Sequence, residues 1–168
     1  MFYNCFKVLN IVSEEKPDLL YPHWSFFENH LRSNNEYHKM SAAIFLANLT
    51  AVDKDKKFEK LFDEYYSTLK TEKTVTPIYT IKYTGRIVKY KPLLEKKITN
   101  MLLNIEKIHP GKQIELMKSA VIESISEFFE KSENKDVIID FVKKQLNSES
   151  PKTRKTAKQF LEKFGEID

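Results

Sequence analysis

The residues with chemistry to offer are four histidines, one cysteine, a few paired carboxylates and a lysine-rich stretch in the middle of the chain. His23 and His30 stand seven apart, two helical turns or about 10 Å along an axis, too far to share a metal ion directly. None of His23, His30, His38 and His109 is followed by an acid three or four residues on. No metal site is therefore expected. Cys5 is the only cysteine, which excludes an intramolecular disulfide and any cysteine-based zinc cage. A nucleophilic Cys5 would need a basic partner, and its helical position instead predicts a buried, inert thiol. The glycines Gly85, Gly111 and Gly165 are isolated, so no phosphate-cradling loop exists. Glu14/Glu15 and Asp63/Glu64 sit in a lysine-rich background, where solvated charge is the commoner role. No catalytic residue and no cofactor are expected, and the chain is read as a non-enzyme.

The charge distribution says more than the total of +4. From Lys73 to Lys112 nine Lys/Arg face two acids, Glu95 and Glu106, a local balance of +7 against −3 for the rest. Lys82, Arg86 and Lys89 alternate with Tyr79, Tyr83 and Tyr90, and Lys96 and Lys97 follow closely. A basic stripe with tyrosines could grip phosphates and stack on bases. The competing reading is a set of long lysines that solubilise an outer face.

The elements that must carry these side chains are helices. Ser150 to Gly165 opens on an N-cap serine and an N1 proline and closes on a glycine. Ala157, Leu161 and Phe164 share one face of it. The same frame, X, X+4, X+7, recurs at Val121/Ile125/Phe128, Thr80/Thr84/Ile87, Ala42/Leu46/Leu49 and Cys5/Leu9/Val12, in steps of 36, 41, 38 and 37 residues. A second series lies between: Leu20/Trp24/Phe27/Leu31, Phe58/Phe62/Tyr65/Leu69, Leu94/Ile98/Met101/Ile105 and Ile139/Val142/Leu146. Naming the two series A and B, the chain reads A1-B1-A2-B2-A3-B3-A4-B4-A5.

Punctuation agrees with this order. Pro17, Ser33–Asn35, Asp53 and Asp55, Thr74–Pro77, Pro92, Pro110–Gly111 and Ser132–Asn134 fall between the frames. Short connections make successive helices antiparallel neighbours. Val75–Tyr90 is rich in Val, Ile, Thr and Tyr and has strand propensity, but a lone hairpin there would have nothing to pair with. The spacing predicts a helix. Residues 1–168 form one domain, with no linker to divide them.

Two helices per unit at 36 to 41 residues describes a helical solenoid. SPKTRKTAKQFLEKFG resembles the first helix of a HEAT repeat, with its proline, basic residue and small-xxx-Leu-xx-apolar run. NNEYHKMSAAIFLANL and TPIYTIKYTGRIVKYKPLLEKKI resemble it more loosely. The resemblance implies an all-α, right-handed α-α superhelix of the HEAT/ARM-like kind, about four and a half hairpins long, with the B helices on the concave surface. It implies a scaffold that binds a protein or peptide there, through residues such as Lys60, Glu64, Lys96 and Asn100. Nucleic acid held by the basic residues Lys82, Arg86, Lys89, Lys96 and Lys97 is the alternative. Phe26, Tyr66 and Phe141 lie off the main apolar frames and would mark a patch if exposed together. A5 has no B helix after it and offers a polar capping face. A1, with Met1, Phe2, Tyr3, Phe6 and Val8, does not look capped, which predicts self-association there or continuation of the array. No apolar run reaches the roughly 20 residues needed to cross a bilayer. A single cysteine fits a reducing, cytoplasmic setting.

Overall fold

A computed structural model describes residues 2–165, with side chains from residue 4 onward. It is all-helical, with no strand among the described residues. Twelve α-helices follow in order: α1 (Phe2–Glu15), α2 (Pro17–Leu20), α3 (Trp24–Leu31), α4 (Glu36–Leu49), α5 (Lys57–Ser67), α6 (Val75–Lys82), α7 (Thr84–Tyr90), α8 (Glu95–Leu103), α9 (Ile105–Ile108), α10 (Ile114–Ser126), α11 (Lys135–Lys144) and α12 (Pro151–Phe164). Short 3₁₀ turns join many of them. The A series corresponds to α1, α4, α6–α7, α10 and α12, and the B series to α3, α5, α8 and α11.

Local chemistry sets the helix starts. The Asn35 side chain accepts from Tyr37 N at 2.9 Å, and the Ser150 side chain from Thr153 N at 3.3 Å, with Pro151 behind it. Asp53 caps α5 from a distance. Its carboxylate accepts from Lys57 N and Phe58 N, both at 2.9 Å, while Lys56 takes the left-handed conformation at φ 55°. Pro77 lies in the first turn of α6, where its missing N–H is not needed. The strand-prone stretch is helical as expected, with a break at Tyr83 between α6 and α7.

The A helices pack in chain order. α1 lies against α4, α4 against α6, α6 against α10, and α10 against α12. Two of these inner helices are enclosed on nearly all sides: every residue from Ala42 to Thr50 is buried in α4 and the turn after it, and every residue from Met117 to Ile122 in α10. The Thr80/Thr84/Ile87 frame, polar as it looks, is wholly buried. Its hydroxyls are satisfied inside the core: Thr84 Oγ1 donates to Thr80 O at 2.8 Å and meets Tyr66 Oη at 3.1 Å, and Thr68 Oγ1 meets Thr80 Oγ1 at 3.0 Å.

Polar bonds between units repeat the period seen in the sequence. Asn48 Nδ2 donates to Ser13 Oγ, Tyr21 Oη to Asp53, Lys91 Nζ to Asp53 O, and Thr76 Oγ1 to Glu36. His109 Nδ1 donates to Leu69 O, Ser132 Oγ to Glu95, and Thr153 Oγ1 to Glu115 O. The partners in these bonds stand 32 to 40 residues apart. Each unit is thus tied to the next by groups at nearly the same place.

Four expectations change. The first and last B helices pack on the A helix after them, α3 on α4 and α11 on α12. A5 therefore has a partner. Cys5 is exposed, because α1 turns Phe6, Leu9, Val12 and Ser13 inward towards the core, and one neighbour in the row covers only part of the predicted stripe. The last B frame is rotated by one residue: Ile138, Val142 and Gln145 are buried, and Leu146 is 41% exposed. Of the three off-frame aromatics only Phe26 is exposed, at 55%, so they form no joint patch. The expectation placed on Met1, Phe2 and Tyr3 lies outside the described side chains. Of the remaining α1 residues named there, Phe6 is half-buried and Val8 is 60% exposed, beside Ile11 at 54%.

Candidate functional site

A groove of about 1070 Å³ opens where α7, α10 and α12 end. The Pro92–Leu94 turn forms one wall, and Val88, Phe128 and Phe164 contribute apolar surface. Leu93 on that wall is 98% exposed. The turn that carries it is anchored from behind by a buried lysine. Lys91 Nζ donates to Asp53 O at 2.9 Å, pairs with Asp53 Oδ2 at 2.9 Å and with Glu59 Oε2 at 3.0 Å.

The electrostatics of this anchor are those of a satisfied buried network. Burial alone would raise the Asp53 carboxyl, but the Phe58 and Lys57 N–H groups, Lys91 and Tyr21 outweigh it and hold its pKa below the ordinary value. Burial would likewise lower Lys91, and the Asp53 and Glu59 carboxylates raise it instead. Tyr21 is pushed up, first by burial and then by its bonds to Asp53 and Asp55. In sequence Lys91 reads as one more member of a basic run. Only the fold shows it facing inward.

The groove carries both signs of charge. Arg86, Lys89, Lys96, Lys131 and Lys163 line it, as do Glu95, Glu127, Glu130 and Glu133. One of the carboxylates is hydrogen-bonded into the wall: Glu95 accepts from Thr99 at 2.8 Å, Ser132 at 2.6 Å and Asn134 at 3.3 Å. The Glu127 side chain lies against Gly85, where a Cβ would collide with it. Burial raises the Glu127 pKa, with Arg86 opposing in part. Arg86 also pairs with Glu14 at 3.5 Å, so the groove is of mixed charge, with Lys89 and Lys96 as its exposed cations beside Leu93.

The residues singled out for an anionic ligand are divided by the fold. Arg86, Lys89 and Lys96 are brought together in the groove. Lys82 pairs instead with Glu123 at 3.9 Å, a carboxylate that Lys152 also meets at 3.1 Å. Lys97 pairs with Asp63 at 2.9 Å and lies over the Phe62 ring at 3.9 Å. Of the residues singled out for a protein partner, only Lys96 reaches the groove. Lys60 is exposed on α5, Glu64 is held by Arg32 at 2.6 Å, and Asn100 is exposed on α8 with its carbonyl accepting from Asn104. Of the interleaved tyrosines, Tyr79 and Tyr90 are each 37% exposed and Tyr83 is half-buried.

Among the described residues no group of three His, Cys, Asp or Glu is placed to hold a metal ion, and no helix is long and apolar enough to cross a membrane. No family model, curated protein or solved structure matches the chain. The residues themselves must carry the functional reading.

Proposed function

We propose that this chain is a non-enzymatic interaction module, a HEAT-like right-handed solenoid of about four and a half hairpins, which holds a segment of another protein in the groove between α7, α10 and α12. In this reading the A helices form the inner row, in place of the B helices that the resemblance implies. Arg86 on α7 reaches Glu14 on α1 at 3.5 Å, passing over α4, so the first and third A helices meet across the second. A row curved towards that side brings such residues together.

The observation that carries the binding proposal is the juxtaposition of exposed Leu93 with the exposed cations Lys89 and Lys96 in one groove. An apolar anchor ringed by cations suits a peptide with an apolar residue flanked by acids. The carboxylates Glu130 and Glu133 on the same walls weigh more against a continuous phosphate backbone than against a peptide with one or two acids beside its apolar residue.

Peptides selected from a random library on the immobilised protein provide the test. Enriched peptides should carry acids around an apolar residue, and Leu93→Ala or Lys96→Glu should weaken them tenfold or more. Lys60→Ala and Asn100→Ala should leave binding unchanged. Binding of mixed DNA or RNA that falls steeply between low and moderate salt, with no peptide enriched, would overturn the reading.

A further inference from the structure

A second cavity, at the other end of the molecule, has different chemistry. It lies between α1, α3 and α4, measures about 130 Å³, and is walled by Phe6, Leu9, Phe27, Ala42 and Phe45. The rings are interlocked, Phe27 on Phe45 at 5.2 Å and Phe6 on Phe45 at 5.8 Å. An apolar cavity of about 150 Å³ is enough to hold a benzene ring. Space and lining here both suit one six-membered ring.

The lining adds a polar feature. His30 is part of it, its ring tilted against Phe26 at 4.2 Å and His38 at 4.9 Å. Its Nδ1 sits 2.9 Å from Phe26 O, and because a carbonyl only accepts, Nδ1 carries the proton. In the tautomer with its proton on Nδ1, Nε2 is an acceptor. Ser41, also in the lining, spends its hydroxyl proton on Tyr37 O at 2.6 Å, so its oxygen too is left to accept. Two acceptors with their own hydrogens engaged, in the lining of a ring-sized and mainly apolar cavity, suit a ring that donates.

We propose that this cavity binds a small monocyclic phenol, with the ring among Phe6, Phe27 and Phe45 and the hydroxyl donating to His30 Nε2. The site is separate from the peptide groove and does not depend on it. Cys5, the single thiol of the chain, is exposed and lines the same cavity, which makes it a built-in reporter.

The rate of Cys5 alkylation by iodoacetamide should fall at least threefold as phenol is titrated in, and toluene should protect more weakly. His30→Phe keeps a ring against Phe26 but removes the acceptor. It should weaken phenol protection about fivefold, the scale of one neutral hydrogen bond, and leave toluene protection unchanged. Should His30→Phe fold poorly, one-dimensional NMR of the unaltered protein reads the same contact, as phenol-induced shifts of the His30 imidazole protons. An alkylation rate indifferent to phenol, or equal protection by phenol and toluene, would overturn the proposal. Protection by N-acetyltyrosinamide at lower concentration than phenol would overturn it in favour of a partner's tyrosyl side chain.

Discussion

The row of A helices and the row of B helices hold together by different means. Neighbouring A helices meet through buried side chains, with Ala43, Ile44, Leu46 and Ala47 of α4 wholly enclosed. Neighbouring B helices are linked by long charged side chains near the surface, Arg32 to Glu64 between α3 and α5, and Lys97 to Asp63 between α5 and α8. Small residues let helix axes approach and make the A row intolerant of change, since close-packed interiors resist added volume. Exposed ion pairs contribute little and tolerate loss. The B helices add core side chains from their inner faces, such as Phe58, Tyr65, Ile98 and Leu102, while the outer edge of the B row is free to vary.

The largest effect expected from breaking this arrangement comes where the two rows meet. Lys91→Met removes the partner of a buried carboxylate and should destabilise the fold by about 3–5 kcal/mol, read as a fall in Cm in urea. Adding Asp53→Asn should recover part of the loss, because the orphaned charge goes with it. Next comes overfilling of the A row: Ala43→Leu should cost about 1–3 kcal/mol in the same measurement. Thr84→Val follows. It strips the partner from Tyr66 Oη in a fully buried site and should cost about 1–2 kcal/mol. Lys97→Ala, on the outer edge, should stay within about 0.5 kcal/mol. A loss at Lys97 as large as that at Ala43 would erase the distinction between the rows.

The Asp53 anchor also predicts a pH profile. A carboxyl whose folded pKa is depressed stabilises the protein above its unfolded pKa, roughly 4, and loses that contribution as pH falls towards the folded value. Glu115 has the same sign, burial being outweighed by Lys118 and Ser148. Lys91, raised in the fold, contributes below its unfolded pKa of roughly 10.4 and loses it as pH climbs higher. Thermal melts should fall below about pH 4, with a smaller opposing loss just above it as Glu127, raised in the fold, ionises. Asp53→Asn should shrink the acid-side fall.

Much of the helical framework was legible because burial leaves a period behind. Leu20/Trp24/Phe27/Leu31 and Ala42/Leu46/Leu49 are all buried as their spacing predicts. The period failed where a helix has a neighbour on only part of its surface. Cys5 and Leu146 fit the frame but lack anything to cover them. The groove was only partly legible. Arg86, Lys89 and Lys96 stand out as charge, but Lys131 and Lys163 arrive from segments 35 or more residues further along the chain, and charge has no period to betray a shared destination. Lys91 was hidden for a related reason: a buried lysine and a solvated one are spelled alike.

Amide hydrogen exchange tests the division between the rows most directly. Amides of 42–49 in α4 and 117–125 in α10 should exchange only through global unfolding, while those of α8 and α11 open by smaller steps and exchange faster. If the α8 and α11 amides proved as slow as those of α4 and α10, the close-packed A row would not be what holds this protein together.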